Sequence, residues 1–406
     1  VVGRPIVALY NYLTTPLARE ISNKLQSILR SHFEAREIIV EGPQDVSRRL
    51  HQWNQYTMLD DYNDYVLCTA DFATLYTSLP HVFIMDSLKA LFNYFNIDEK
   101  GNDLLCQIEV YLQCTYFHEP VTDRHYHQNI GIPMGGNCSP AIANAVLLWH
   151  DIRLMTKFNL IFRMRYLDDI CMLYRLGQRP WEHYPNEIKL NIVQKDTTTV
   201  DFLNFTISIK NKGKGWKFGT DLYSKPGNAF EYLLESANVP RSARRGVILG
   251  ICHMLACVCD NYERYKYWQQ IYRHLLEKRQ YNSKFIDQIF KQVSFLDLRS
   301  KIINNVVKED DDQVDMMIQV PYVKNVTFRR DIIDALEKSD ALVYSNRLRN
   351  TRIVFNKSAH IGSILNKKSD NLNFTTTNNG LKIAQEFLDA LDPDLLVQIP
   401  REHIPD

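Results

Sequence analysis

Tyr166-Leu167-Asp168-Asp169 decides the fold of this chain, because it places two adjacent carboxylates between two apolar runs. Those runs, residues 159–162 and 170–174, have the length and composition of short buried strands, so the tetrapeptide is predicted to form the tip of a hairpin. Adjacent carboxylates at such a tip repel each other and lose hydration, which favours a bound cation such as Mg²⁺. A solvated Asp-Asp turn is the alternative, since aspartate is common in turns.

A third carboxylate, Asp71, follows another strand-like run at residues 65–70. One aspartate at the end of a strand and two on a hairpin can converge on two divalent ions, Mg²⁺ or Mn²⁺. Such a pair of ions lowers the pKa of an attacking 3′-hydroxyl and neutralises charge on a leaving pyrophosphate. Alone, Asp71 also fits a turn or a helix cap before the helix predicted at residues 82–95. Asp168 and Asp169 favour the metal site.

A glycine-rich segment, residues 126–140, lies between these carboxylates in the sequence. Its glycines allow the backbone to approach a flat ligand closely. Ser139 is predicted to cap a helix that has Pro140 as its first residue and extends to residue 158. A glycine loop that leads into a helix N-terminus suits contact with a base pair and a phosphate-bearing chain. The three elements in this order are more specific than any of them alone.

Together the three elements resemble motifs A, B and C of the reverse-transcriptase palm, at Asp71-Phe72, residues 131–144 and residues 166–169 respectively. Over residues 4–365, the sequence is more similar still to that of Penelope-like retroelement reverse transcriptases, which are relatives of telomerase. The resemblance implies an α/β (α+β) polymerase right hand, with a palm sheet and covering helices, a helical thumb, truncated fingers and a helical C-terminal extension. The implied domains are partial fingers (1–60), palm (61–222), thumb (223–300) and C-terminal extension (301–406).

The same resemblance implies an RNA-directed DNA polymerase that adds dNTPs to a primer 3′-hydroxyl, and it assigns the catalytic carboxylates. Asp71 and Asp168 would ligate two Mg²⁺ or Mn²⁺ ions with the carbonyl of Phe72, and Asp169 would be a secondary ligand. The expected partners are an RNA template, a DNA primer, a dNTP and other proteins of a ribonucleoprotein.

Four further residues are implied to bind the nucleotide. Tyr76 lies where this polymerase class places its sugar gate, and its ring would clash with a 2′-hydroxyl, which disfavours an RNA-dependent RNA polymerase. A tyrosine that only packs in the palm is the alternative. Met134, where many such polymerases have glutamine, and Gly135 would border the nascent base pair. Arg4, in the remnant of the fingers motif, would contact the incoming nucleotide.

Residues 241–281 are predicted to be helical and carry eight basic side chains against three acidic ones, with aromatic residues interleaved. Basic residues contact backbone phosphates, and aromatic rings stack on sugars or bases. After a palm, this pattern favours a thumb that grips the primer–template duplex, whereas alone it also fits a helical bundle with a solvated charged face. The candidate nucleic-acid-binding residues are Lys225, in a segment that resembles the family's primer grip, Arg241, Arg244, Arg245, Arg264 and Lys266.

Bulk composition excludes several classes of protein. The formal net charge is only +1, so any nucleic-acid-binding surface must be local. No apolar run approaches membrane-spanning length, and no secretory leader is visible. The eight cysteines lie mostly in apolar contexts and indicate reduced core residues of an intracellular protein. The expected compartment is the nucleus or an organelle, and the sequence does not distinguish them. Cys252-His253 with Cys257 and Cys259 could form a zinc site, but the spacing matches no common zinc motif and the predicted buried helix at residues 247–258 is favoured.

A rival hypothesis is a catalytically retired reverse-transcriptase-like protein that acts as an RNA-binding structural subunit of a ribonucleoprotein. The first half of the fingers motif is missing before Gly3, which favours this rival. We expect either a piece of a longer chain or a protein that has lost its leading fingers. The complete set of Asp71, Asp168 and Asp169 argues against the rival hypothesis, because clustered carboxylates without a metal only destabilise a fold.

Overall fold

The computed structural model describes most of the first three quarters of the chain and three strands beyond it. The described residues are 13–56, 65–119, 123–158, 160, 162–211, 216–225, 232–237 and 239–304, and for residues 316–321, 351–356 and 396–398 the backbone alone. Two compact units divide the chain, one of Val1–Gly219 with Thr375–Asp406 and one of Thr220–Phe374. Arg4 lies outside the described residues. Within them, none of the helices has both the length and the apolar character needed to cross a membrane.

The fold is mixed α/β with mostly antiparallel sheets. The helices of the first unit are α1 (Thr15–Ser31), α2 (Phe33–Ile38), α3 (Pro43–Tyr56), α4 (Leu75–Ser78), α5 (His81–Tyr94), α6 (Glu99–Gln113) and α7 (Ser139–Phe158). Its strands are β1 (Tyr65–Ala73), β2 (Tyr116–Glu119), β3 (Arg124–Gln128), β4 (Phe162–Tyr166), β5 (Asp169–Arg175), β6 (Lys189–Thr197), β7 (Thr199–Phe202) and β8 (Phe205–Asn211).

The chain enters the second unit within β9 (Trp216–Leu222). The second unit then contains α8 (Arg241–Val258), α9 (Tyr262–Lys278), α10 (Ser283–Gln292), α11 (Phe295–Ile303), β10 (Met316–Pro321) and β11 (Thr351–Asn356), while β12 (Leu396–Gln398) pairs with β3 in the first. Much of the segment predicted as a helical C-terminal extension lies outside the described residues. Its described part beyond Asn304 consists of the strands β10, β11 and β12.

A four-stranded antiparallel sheet in the order β4-β5-β1-β6 forms the centre of the first unit. Alternate side chains of β1 and β5, such as Phe72 and Ile170, are buried in the main hydrophobic core, to which α1, α5, α6 and α7 also contribute. Because successive side chains of a strand point to opposite faces, Asp71 and Asp169 project from the face that these helices do not cover.

Most sequence-based element predictions in this unit are confirmed. The strands predicted at residues 65–70 and 170–174 are β1 and β5, and the helix predicted at residues 82–95 is α5. The strand predicted at residues 159–162 coincides with β4 only at Phe162, and residues 159 and 161 lie outside the described residues. β4 includes two buried arginines, Arg163 and Arg165, which the predicted apolar run did not contain.

Three further boundaries differ for local reasons. The amphipathic spacing of residues 103–117 predicts a helix, whereas α6 has the same length but lies four residues earlier, since the β-prone residues after Gln113 form β2 against β3. The sequence predicts that residues 181–193 cover the sheet, whereas in the structure β6 joins it as the edge strand beside β1. Residues 200–210 have the sequence pattern of a single strand, whereas the structure has a hairpin of β7 and β8, with Leu203 at φ 55° in its turn.

The helical character predicted for residues 241–281 is confirmed by α8 and α9. Of the interleaved aromatic residues, Tyr265 and Tyr272 are buried core residues, whereas Tyr262 and Tyr267 are exposed. All eight cysteines are free thiols, and six of them are buried. The buried cysteines include Cys252 and Cys257 of α8 and Cys259, which follows it.

Candidate active site at the hairpin of β4 and β5

The Tyr166–Asp169 segment is the tight hairpin that the sequence predicts. Tyr166 and Asp169 are opposite each other as the last pair of β4 and β5, and Leu167 and Asp168 form the turn. Leu167 has a φ of 53°, in the left-handed region that side-chain-bearing residues rarely adopt. The turn therefore stores backbone strain at the residue that precedes the two carboxylates.

The register of β1 and β5 brings the third carboxylate to the hairpin. Asp71 is the direct partner of Asp169, and the N–H of Phe72 donates to the carbonyl oxygen of Asp168 at 3.0 Å. Side chains of directly opposite residues lie about 5 Å apart, and like charges in such a pair destabilise a sheet. Asp71 and the distant, adjacent pair Asp168 and Asp169 thus share one edge of the fold at an electrostatic cost that a cation would remove.

Asp71 and Asp168 are half-buried and Asp169 is exposed, so solvent and ligands can reach all three. In the part of the chain that the structure describes, no three Asp, Glu, His or Cys side chains are grouped closely enough to hold a metal ion by themselves. Mg²⁺ in phosphoryl-transfer sites is usually held by one or two carboxylates together with substrate phosphates and water. The residues present fit that mode, with the carbonyl of Phe72 as a further oxygen donor.

Tyr76 lies close to the carboxylates. Burial raises the pKa of its hydroxyl, and the negative charge of Asp168 raises it further, although Arg165 opposes this. The charge of Asp168 thus acts on the Tyr76 hydroxyl, and the sugar-gate role of Tyr76 stays a prediction.

The glycine-rich loop is hydrogen bonded to the segment that follows Asp71. The N–H of Ile132 donates to the carbonyl of Tyr76 at 2.7 Å, and the N–H of Gly131 donates to the carbonyl of Leu79 at 2.8 Å. A Cβ atom at Gly131 would lie 2.4 Å from the Tyr76 carbonyl oxygen, so only glycine fits this close approach. The loop and the Asp71 segment therefore form one packed layer.

The end of the loop leads into α7. Met134 is half-buried and Gly135 is exposed with a φ of 109°. Ser139 was predicted as the helix cap but is the first helical residue, and its hydroxyl donates to the carbonyl of Pro133 at 2.6 Å. This bond closes the loop on itself and leaves Gly135 accessible at its tip.

A buried charge cluster that was not predicted from the sequence lies behind the hairpin. Asp151 of α7 receives hydrogen bonds from Arg163 and Arg165 of β4 and from the hydroxyl of Tyr184. Burial alone would raise the pKa of Asp151, but the two guanidinium groups outweigh it and lower the pKa. The only hint in the sequence is the alternation of arginine with apolar residues just before Tyr166.

A cleft of about 920 Å³ opens beside the turn, and its walls were also not anticipated. Tyr166, Leu167 and Asn144 line one side of it. The other walls include four arginines, Arg30, Arg36, Arg48 and Arg49, and three carboxylates, Glu37, Glu41 and Asp45. Asp45 accepts hydrogen bonds from Arg48 and Arg49, and Arg30 lies 3.4 Å from Glu41, so three of these four arginines are already paired within the chain.

The basic residues predicted in the second unit differ in availability. Arg264 is bonded to Asp221 at 2.7 Å and lies over the ring of Tyr267, and Arg244 donates to backbone carbonyls. These two guanidinium groups therefore act within the unit. The exposed members of the predicted set are Lys225, Arg241 and Arg245, with Lys266 half-buried beside Gln269.

No family model and no curated protein matches the sequence. Among solved structures, the chain is similar to telomerase from Candida albicans in complex with the TWJ fragment of telomeric RNA, with 10% identity and a TM-score of 0.49 over 82% of this chain and 58% of that one. Telomerase from Candida tropicalis is also similar, both with the TWJ fragment (10% identity, TM-score 0.40, 73% and 52% covered) and in the apo form (10%, 0.37, 49% and 40%). The chain spans about half the length of these telomerases. Likenesses this weak carry no argument about activity.

Proposed function

We propose that the chain is an RNA-directed DNA polymerase, a reverse transcriptase of the Penelope-like and telomerase-related group, which adds dNTPs to the 3′-hydroxyl of a primer. The observation that carries the proposal is the pairing of Asp71 with Asp169 across β1 and β5, beside Asp168. The order of the sequence motifs supports the same chemistry independently of the pairing. Asp71, Asp168 and Asp169 are the catalytic residues of the proposal.

Two Mg²⁺ or Mn²⁺ ions would supply the activation of the primer hydroxyl and the neutralisation of the leaving pyrophosphate. The carboxylates of Asp71 and Asp168 and the carbonyl of Phe72 would hold these ions, with Asp169 as an additional ligand. Tyr76, which the charge of Asp168 reaches, would border the sugar of the incoming nucleotide and exclude a 2′-hydroxyl.

The loop at Met134 and Gly135 would contact the nascent base pair. It is suited to this role because its backbone is fixed to the Asp71 segment by two short hydrogen bonds, so a base pair would meet a preorganised surface. Lys225, Arg241 and Arg245, which are exposed, would contact backbone phosphates of the primer–template duplex.

The test is primer extension on a primed RNA template by the full chain, with Mg²⁺ or Mn²⁺ and with dNTPs compared with rNTPs. Extension with dNTPs alone is expected. Asp168→Asn should abolish extension and leave the affinity for the duplex nearly unchanged, because it removes a metal ligand but no phosphate contact. Asp86→Asn is the matched control, since Asp86 is an exposed aspartate of α5 far along the chain from the hairpin.

Equal extension by Asp168→Asn and the wild type would refute the metal assignment. Tight binding of RNA without any product, under both metals and both sets of nucleotides, would favour the rival hypothesis of an RNA-binding structural subunit. Extension with rNTPs as efficient as with dNTPs would refute the role given to Tyr76.

A further inference from the structure

The buried cluster of Asp151, Arg163 and Arg165 combines two positive charges with one negative charge. All three side chains are fully shielded from solvent. A buried ion pair is weak evidence for stability, since apolar residues of the same volume often serve the fold as well. A cluster with an uncompensated positive charge is less favourable still, which indicates a role other than stabilisation.

The two arginines use the shared aspartate differently. Arg163 donates to Asp151 at 2.5 Å and to the hydroxyl of Tyr184, whereas its Nε and Nη1 atoms are buried without a hydrogen-bond partner in the structure. Arg165 donates from Nε to Asp151 at 2.7 Å and from Nη1 to the side chain of Asn144 at 2.6 Å. Arg165 is therefore held in a defined orientation from two positions of α7.

From that position Arg165 reaches the hairpin turn. Its Nη1 atom donates to the carbonyl oxygen of Leu167 at 3.2 Å. Leu167 is the strained residue of the turn, and the next carbonyl, that of Asp168, is bonded to the N–H of Phe72. The turn is thus fixed on one side by a backbone bond to β1 and on the other by the guanidinium of Arg165.

The backbone of Arg165 is fixed as well. Its carbonyl accepts the N–H of Val40 at 2.9 Å, on the outer edge of β4. Arg49 in turn donates to the carbonyl of Ile39, the residue that bridges to Arg165, and is itself held by Asp45. Both the main chain and the side chain of Arg165 are therefore constrained before the turn begins.

We propose that Arg165 is a positioning residue, which transmits the position of α7 through Asp151 and Asn144 to the Leu167 carbonyl and so sets where Asp168 stands. The inference deepens the proposed function and rests on it for its catalytic readout. Because α7 follows directly from the glycine-rich loop, the same contact keeps the base-pair surface and the metal-binding carboxylates in a constant relative arrangement.

The test compares Arg165→Lys with Arg163→Lys in the full chain. Both substitutions keep a positive charge next to Asp151 and lose a guanidinium, but only the first removes the bond to the turn. In primer extension, Arg165→Lys should lower kcat by about tenfold or more and raise the Mg²⁺ concentration for half-maximal rate, as loss of an outer-sphere partner typically does. Its KM for dNTP and its affinity for duplex should change less than about twofold, because Arg165 makes no ligand contact.

Arg163→Lys should show a comparable fall in melting temperature with kcat and metal requirement unchanged. Should Arg165→Lys fail to fold, Asn144→Leu serves instead, since it removes one acceptor of Arg165 and leaves all three charges. It should raise the Mg²⁺ requirement in the same direction. Equal metal requirements for the Arg165 or Asn144 variant and the Arg163 variant would overturn the inference.

Binding of Mn²⁺ in the presence of a dNTP, whose phosphates would complete the site, is followed by electron paramagnetic resonance and separates this inference from the proposed function. If the wild type extends no primer, the proposed polymerase fails, but Mn²⁺ binding that Asp168→Asn abolishes and Arg165→Lys weakens about tenfold still supports the positioning role. Wild-type extension with identical Mn²⁺ affinity in both arginine variants overturns the positioning role alone. Absence of both extension and Asp168-dependent Mn²⁺ binding overturns both.

Discussion

Replacement of Gly131 by alanine should destabilise the first unit in a way that can be divided into two contributions. Gly131 has a φ of 85°, where a side-chain-bearing residue is disfavoured by about 1–2 kcal/mol. The added methyl group would also lie 2.4 Å from the Tyr76 carbonyl oxygen, 2.9 Å from Thr77 Cα and 3.0 Å from Thr77 carbonyl carbon. All three are backbone atoms, so no side chain can rotate away.

The steric contribution can be estimated from the cost of overpacking, which is about 1–3 kcal/mol for an added methylene in a well-packed site. The Tyr76 oxygen already accepts the N–H of Ile132, so a shift that relieves the clash would also stretch that 2.7 Å bond. Adding the backbone contribution, Gly131→Ala should lower the free energy of unfolding by roughly 2–5 kcal/mol.

Gly177→Ala is the matched control, because Gly177 has a φ of 90° and no atom within 4 Å of an added Cβ. It should lose only the backbone contribution of about 1–2 kcal/mol. Urea unfolding of both variants, compared by their midpoints at constant slope, isolates the difference. Equal losses in the two variants would refute the close approach of the loop to the Tyr76 segment.

Three other outcomes are expected. Burial lowers the pKa of His150 from 6.5 to about 4, so its folded form binds fewer protons, and stability should fall by up to about 3 kcal/mol as the pH drops from 6.5 to 4. His150→Gln should flatten this dependence in melting curves, and parallel curves would contradict the assignment. Tyr76→Ala should raise rNTP incorporation in primer extension whereas Tyr76→Phe should not, and equal discrimination by both would remove the sugar gate. Asp221→Ala should loosen α9, because Asp221 accepts from Arg264 and from the Trp268 indole, and unchanged hydrogen exchange in α9 would refute this.

The succession of the site's parts along the chain (Asp71, the glycine-rich loop and the hairpin) could be predicted from the sequence, because each part has a local sequence pattern. Apolar runs end at Asp71 and flank the Asp168-Asp169 pair, and glycines cluster before the helix that begins at Ser139. What the sequence could not supply is the register that makes Asp71 the partner of Asp169, since register depends on pairing between strands that are distant in the chain. The assigned roles of these residues stay predictions.

The extent of β4 could not be predicted from the sequence, for a specific physical reason. Arginine is almost never fully buried without a partner, so Arg163 and Arg165 argue against a buried strand when the sequence is considered locally. The partner that makes their burial tolerable, Asp151, lies on α7, where an aspartate in a mostly apolar helix carries no sign of what it will face. Helical periodicity could likewise not show that Tyr265 and Tyr272 are core residues, since aromatic residues suit both a core and a nucleic-acid surface.

Two charge clusters of opposite sign lie on either side of the hairpin, and each partly compensates the other. In front of it stand three carboxylates, of which Asp71 and Asp169 form a repulsive cross-strand pair, and behind it lies a buried cluster with one surplus positive charge. Arg165 ends 3.2 Å from the carbonyl that directly precedes Asp168, so the surplus positive charge lies next to the acidic edge and attracts it. One positive charge compensates three negative ones only in part. The remaining negative charge would attract a divalent ion. The carboxylates that carry this charge are positioned by contacts that lie entirely within the chain.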